Sequence, residues 1–140
     1  MTQDRLNLEY NILSRYFKPK QFRLTNDELL FAVQTNSLKV YTLRVDLTND
    51  YPYNVPKAFI TNPKPLRDKW GNPMIDASHS MHTLPAEDGC TRICHYGSID
   101  WGPNVSLYQI IIKIRIWLEM YENHLKTGAP LDRYLTSAEY

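Results

Sequence analysis

The sequence is short of three features that would point early to a particular class of protein. It has two cysteines in 140 residues, too few for a disulfide-stapled secreted scaffold. It has no apolar run of about 18 residues, so no membrane partner or transmembrane segment is predicted. Its 16 basic and 15 acidic residues give a net charge of +1. This balance does not favour nucleic acid as a partner.

A targeting signal is also not apparent at the N-terminus. Residues 1–5 do not show the basic and then apolar layout of a secretory signal peptide. With reduced thiols expected instead of a disulfide, the predicted location is the cytoplasm. Apolar residues make up 43% and charged residues 22%, values typical of a globular protein. The length predicts one domain over residues 1–140. No cofactor is expected.

Hydrophobic periodicity divides the chain into helices and strands. Residues 4–17 carry apolar side chains at spacings of three and four, which predicts a helix that Pro19 ends. Short or alternating apolar patterns predict four strands, at residues 21–24, 29–33, 41–47 and 57–61, in a four-stranded antiparallel meander. Residues 62–104 are predicted to be irregular, because prolines within this stretch and just before it prevent long strand pairing. So long a loop in a small domain is typically functional.

The last helix is the most clearly marked element. Ser106 and Gln109 are predicted to form a capping box, and Gly128 and Pro130 to end the helix. One face between them is apolar: Leu107, Ile110, Ile111, Ile114, Trp117, Leu118, Tyr121 and Leu125. The order of helix, meander, loop and long C-terminal helix predicts an α+β fold, with both helices against one side of the sheet.

Chemically reactive side chains are concentrated just before this helix. Five of the six Cys and His residues lie within 17 positions: His79, His82, Cys90, Cys94 and His95. Three interpretations are open. In the first, one of the thiols is a nucleophile that a nearby histidine assists. Alternatively, His79, His82, Cys90 and Cys94 bind zinc, since their spacing permits four ligands. Otherwise these are reduced structural thiols and solvated loop histidines.

Two short motifs resemble those of ubiquitin-conjugating (E2) enzymes. The first is the Tyr-Pro-x-x-x-Pro segment made by Tyr51, Pro52 and Pro56. The second is an Ile-Cys pair followed by Trp-x-Pro and a helix, made by Ile93, Cys94, Trp101 and Pro103. The two motifs occur in the same order as in the family. The predicted helices and strands around them also follow the family's order, over residues 4–128. The resemblance implies that fold, with residues 62–104 including the active-site loop.

The resemblance is closer to the bacterial branch of that family than to its eukaryotic enzymes. The end of the long helix in that branch resembles a set of residues here: Trp117, Leu118, Tyr121, His124, Thr127 and Gly128. Some of those proteins are encoded in cyclic-nucleotide antiphage operons. The resemblance therefore implies a cargo, either a ubiquitin-like protein or the C-terminus of a nucleotidyltransferase, and a separate activating enzyme as a possible partner.

The resemblance also implies roles for individual residues. Cys94 would accept the cargo's activated carboxyl as a thioester and pass it to an amine or thiol. The family's His-Pro-Asn tripeptide is missing here. We take His82, the nearest histidine upstream of Cys94 in the loop, as the candidate for its role at the oxyanion or as a base.

The remaining candidates support the site. Trp101 and Pro103 are expected to shape a shelf below the thiol, and Asn104 or Asp100 to orient an attacking amine. His95 is expected to face away from the acyl group, since neighbouring side chains of an extended segment alternate. Tyr51, Pro52 and Pro56 are expected to be structural.

Three alternatives stay open at this point. One is a cysteine hydrolase, which would need a base and an orienting group that the sequence does not identify. A catalytically inactive protein of the same fold would act as a binding scaffold, and a zinc module would use His79, His82, Cys90 and Cys94. An oligomer is possible, because Ile112, Ile116 and Met120 add an apolar flank to the last helix.

Overall fold

The computed structural model describes residues 1–131 and shows an α+β fold. A helix, α1 (Gln3–Tyr16), leads through a short 3₁₀ turn (Pro19–Gln21) into the sheet. The strands are β1 (Phe22–Leu24), β2 (Glu28–Gln34), β3 (Val40–Asp46), β4 (Lys57–Asn62), β5 (Thr83–Glu87) and β6 (Cys90–Ile93). The chain then forms α2 (Leu107–Thr127). No helix within residues 1–131 is both long and apolar enough to cross a membrane.

The sheet has six strands, so the predicted number of four was wrong, although β1 to β4 are antiparallel neighbours in chain order as predicted. The order is β1-β2-β3-β4-β6-β5, and every neighbouring pair is antiparallel. The two missed strands form a hairpin inside the stretch predicted to be irregular. Its signal is weak because β5 is short and contains Pro85, which an edge strand tolerates. Asp88 and Gly89, both with positive φ, make its tight turn.

The outer edge of β5 is closed by the chain that precedes it. Ser78 and Thr83 exchange two backbone hydrogen bonds of 3.1 Å, and the Ala86 amide donates to the Ile75 carbonyl at 2.9 Å. Pro85 has no amide hydrogen to leave unpaired. The sheet therefore ends at β5 without an open row of donors and acceptors.

The core lies between one face of the sheet and the two helices. The alternating side chains of β2 and β3 point into it, as predicted from their period. Helix α2 contributes most of the predicted face, with two differences: Leu125 is only half-buried and His124 is buried. His124 is accommodated because its Nδ1 bonds the Ala129 carbonyl and its Nε2 accepts from the Lys69 amide.

Both predicted ends of α2 are confirmed. Ser106 and Gln109 form the reciprocal capping box, and Gly128 ends the helix with a positive φ of 78°. A second group acts at the N-terminus of α2. The carboxylate of Glu9, from α1, accepts the Leu107 amide at 3.2 Å.

Glu9 is a buried carboxylate that the sequence pattern did not single out. Its side chain also accepts from the Tyr51 hydroxyl and, at 3.3 Å, from Nε of Arg5. Arg5 in turn donates to the Val105 carbonyl at 2.8 Å. One network therefore joins α1, the β3–β4 connection and the start of α2.

Candidate active site

Cys94 lies immediately after β6, at the open end of the β5–β6 hairpin. Its backbone amide donates to the carbonyl of His82 at 2.9 Å, and the next pair along the hairpin is Thr83 with Ile93. The thiol is half-buried and reduced. The hairpin therefore sets Cys94 and His82 opposite each other, although 12 positions separate them in sequence.

His82 has an unusual backbone conformation. Its φ is +53°, in the left-handed region that side chains other than glycine rarely adopt. The turn before it is fixed by α2, because the indole Nε1 of Trp117 donates to the Met81 carbonyl at 2.9 Å. Strained backbone held by its surroundings is common at functional sites.

Cys94, His82 and His79 line one open cavity of about 280 Å³. The remaining wall is small or uncharged: Ala77, Ser78, Thr83 and Leu84. The rings of His79 and His82 are 6.0 Å apart. Cys94 and His82, the predicted pair, therefore line the same cavity, and a second histidine lies beside them.

The electrostatic environment of the thiol is set by burial and by two cations. Burial raises the pKa of the Cys94 thiol, and the charges of Arg92 and Lys113 partly offset that rise. The sulfur is therefore largely protonated at neutral pH. A high thiol pKa also makes the sulfur a slow leaving group once it is acylated.

Lys113 approaches the site from the second turn of α2. Its Nζ donates to the His95 carbonyl at 3.4 Å and lies 3.7 Å from the centre of the Tyr96 ring. Burial lowers the pKa of this ammonium group, while Asp100 and Cys94 act in the opposite direction. No motif marked either cation: Lys113 reaches the site from α2, and Arg92 lies on β6, a strand that the sequence pattern did not predict.

His95 does not line the cavity. Its side chain is 2% exposed, and its Nε2 bonds the Pro56 carbonyl at 2.7 Å. Burial lowers its pKa to about 4, so the ring is neutral at physiological pH. His95 therefore helps to hold the backbone next to Cys94 in place.

The two motif segments meet next to this site. The indole Nε1 of Trp101 donates to the Pro52 carbonyl at 2.8 Å, and the rings of Trp101 and Tyr96 are in edge contact at 5.4 Å. The Pro103 carbonyl accepts from Arg5. These contacts tie the segment after Cys94 to the β3–β4 connection and to α1.

Asn104 and Asp100 are exposed and do not line the cavity. Cys90 is buried, with its Sγ 3.7 Å from the Asp88 carbonyl, and is not among the cavity residues. Within residues 1–131, no three His, Cys, Asp or Glu side chains are grouped so that they could hold a metal ion. The four proposed zinc ligands are therefore not brought together.

Comparison of the chain with models of known protein families, with curated proteins and with solved structures finds no match.

Proposed function

We propose that this protein is an acyl carrier of the ubiquitin-conjugating type, which holds an activated protein C-terminus as a thioester on Cys94. The observation that supports it best is the shared cavity: a half-buried thiol and His82 are fixed across one hairpin. The order of motifs, and the bond from Trp101 to Pro52 that links them, add support for a fold of that type.

Loading of the thiol requires a proton acceptor. Because burial raises the pKa of Cys94, the sulfur must lose its proton as it attacks the activated carboxyl. An imidazole ordinarily titrates near pH 6.5 and so can take up that proton. His82 shares the cavity with the sulfur and is the candidate base.

The surroundings of Cys94 favour carrying the acyl group over hydrolysing it. A thiolate of high pKa leaves slowly, so the thioester persists until a strong nucleophile arrives. An incoming amine or thiol attacks the carbonyl instead, and a donor such as His82 stabilises the oxyanion.

The proposed cargo is a ubiquitin-like protein or the C-terminus of a nucleotidyltransferase, transferred within bacterial antiphage signalling. A reducing cytoplasm suits this chemistry, because Cys94 must remain a free thiol. The activated carboxyl then comes from a separate activating enzyme.

Intact-mass spectrometry tests the proposal. Protein isolated from its native source without reductant, with its operon partners present, should carry a protein-sized adduct that thiol treatment removes. Cys94→Ala should abolish the adduct, and Cys90→Ala should retain it, since Cys90 is outside the cavity. An unmodified Cys94 in the presence of those partners, with full biological output from Cys94→Ala, would favour the binding scaffold instead.

A further inference from the structure

We propose that His79 is a proton relay for Cys94, which moves protons between the candidate base His82 and the solvent. This inference rests on the proposed function and deepens it, because it adds a second histidine to the chemistry of the same site. The relay lets a half-buried thiol exchange its proton with water while the base itself stays in the cavity wall.

One turn places the two imidazoles side by side in the cavity that contains the thiol. The ring centres of His79 and His82 are 6.0 Å apart, and the ring planes are inclined by 32°. Both residues line the cavity together with Cys94. A separation of this size suits proton transfer through one intervening water molecule, which is within the reach of an acid–base pair.

The turn that carries the two histidines is held at several points. The His82 amide donates to the His79 carbonyl at 3.4 Å, and the Met81 amide donates to Oγ of Ser78 at 3.2 Å. Where the turn opens, Ser78 and Thr83 exchange two backbone hydrogen bonds. The backbone therefore holds the two histidines next to each other.

The two rings differ in their access to water. His82 is half-buried, whereas His79 is exposed, so a route from Cys94 through both rings leads out of the cavity. Imidazoles suit such a route because they gain and lose protons between pH 5 and 8. The positive charges of Arg92 and Lys113 act on Cys94. They oppose the storage of another positive charge beside the sulfur, which favours passing the proton outward.

The proton balance of loading is complete with the thioester donor as the only reagent. The sulfur of Cys94 attacks the donor's carbonyl carbon, a new C–S bond forms and the donor's own C–S bond breaks. The thiol proton passes to His82, through water to His79, and then to solvent. The donor's sulfur leaves as a thiolate and takes up a proton from solvent. When an acceptor discharges the thioester, the same route returns a proton to Cys94.

The test uses the full chain and a synthetic peptide with a C-terminal alkyl thioester, in dilute buffer. Intact-mass spectrometry follows the loading of Cys94. His79→Gln should load about tenfold more slowly than wild type, because the proton then leaves the cavity without the relay. Added imidazole should restore the rate of His79→Gln in proportion to its concentration and leave the wild-type rate unchanged. A merely structural role of His79 would not produce this rescue.

Ser80→Ala is the matched control for that variant. Ser80 is exposed in the same turn and is not among the residues that line the cavity. Its variant should load at the wild-type rate and should not respond to imidazole. Both variants should keep the wild-type midpoint in urea denaturation, because both side chains are exposed.

The outcomes separate this inference from the proposed function. Loading of His79→Gln at the wild-type rate in dilute buffer would overturn the relay alone. A slow His79→Gln that imidazole does not restore would overturn it too, and would assign His79 a structural role. An equal response of wild type and His79→Gln to imidazole would show that imidazole replaces no group of the protein. Failure of wild-type Cys94 to form any thioester with excess peptide would contradict the proposed function as well.

Discussion

Glu9 connects three parts of the chain through one buried carboxylate. Its side chain is fully buried and accepts from Tyr51, Arg5 and the Leu107 amide. Glu9→Ala would leave the hydroxyl and the amide without their partner, and buried groups of this kind are costly to leave unpaired. We expect a loss of about 3 kcal/mol in the free energy of unfolding, measured by urea denaturation.

Glu9→Gln separates the loss of charge from the loss of shape. Its amide oxygen can still accept from Leu107, so the expected loss is about half that of Glu9→Ala. Equal stability of wild type and Glu9→Ala would show that the network contributes nothing net.

His95 predicts a dependence of stability on pH. Its pKa is about 4 in the folded protein against an ordinary value of 6.5, chiefly because the ring is buried. Between these values the unfolded chain binds the extra proton, so stability falls as pH drops from about 6.5 to about 4. The full difference corresponds to about 3 kcal/mol.

The measurement is urea denaturation at pH 7 and at pH 4.5 for wild type and His95→Gln. Gln can still donate to the Pro56 carbonyl but does not titrate, so its stability should fall less over this interval. An identical fall in both proteins would assign the acid sensitivity to other groups.

At the scale of elements, α2 fixes the turn that holds His82. Trp117→Phe keeps most of the packing but removes the indole donor to the Met81 carbonyl. We expect faster hydrogen exchange over residues 78–82, slower loading of Cys94, and a loss of about 1 kcal/mol in stability.

Tyr121→Phe is the matched control for that variant. It removes a hydrogen bond from the same helix, to the Arg67 carbonyl at 2.6 Å, but that carbonyl lies outside the turn. Its stability should fall by a similar amount while loading of Cys94 is preserved. Equal slowing in both variants would indicate a general loss of packing.

The elements differ in how far the sequence could predict them. Helix α2 was predictable because Ser106, Gln109 and Gly128 act locally, through bonds within a few residues. The β5–β6 hairpin was not, because Pro85 and polar neighbours hide its alternation and its pairing with β4 is nonlocal. The burial of His124 was not predicted, because it depends on two partners outside the helix, Lys69 and Ala129.

At the scale of the whole molecule, the site combines local and distant contributions. The choice of His82 as the partner of Cys94 came from their place in one loop segment, and the structure does place both residues in one cavity. The approach of Lys113 from α2 and the support of His95 by Pro56 depend on how the helices and the β3–β4 connection pack. No pattern along the chain encodes those distances.

The closed edge of β5 restricts how a partner can approach Cys94. Many proteins capture an extended peptide by letting it join a sheet as one more strand. Here residues 75–78 already occupy that position, and Pro85 offers no donor. If Cys94 carries an acyl group as proposed, the donor would have to insert its terminus end-on into the small-walled cavity, without main-chain pairing along β5. Recognition of the donor must then come from surfaces away from its tail, so a tail peptide alone should be a much poorer donor than the folded protein that carries it.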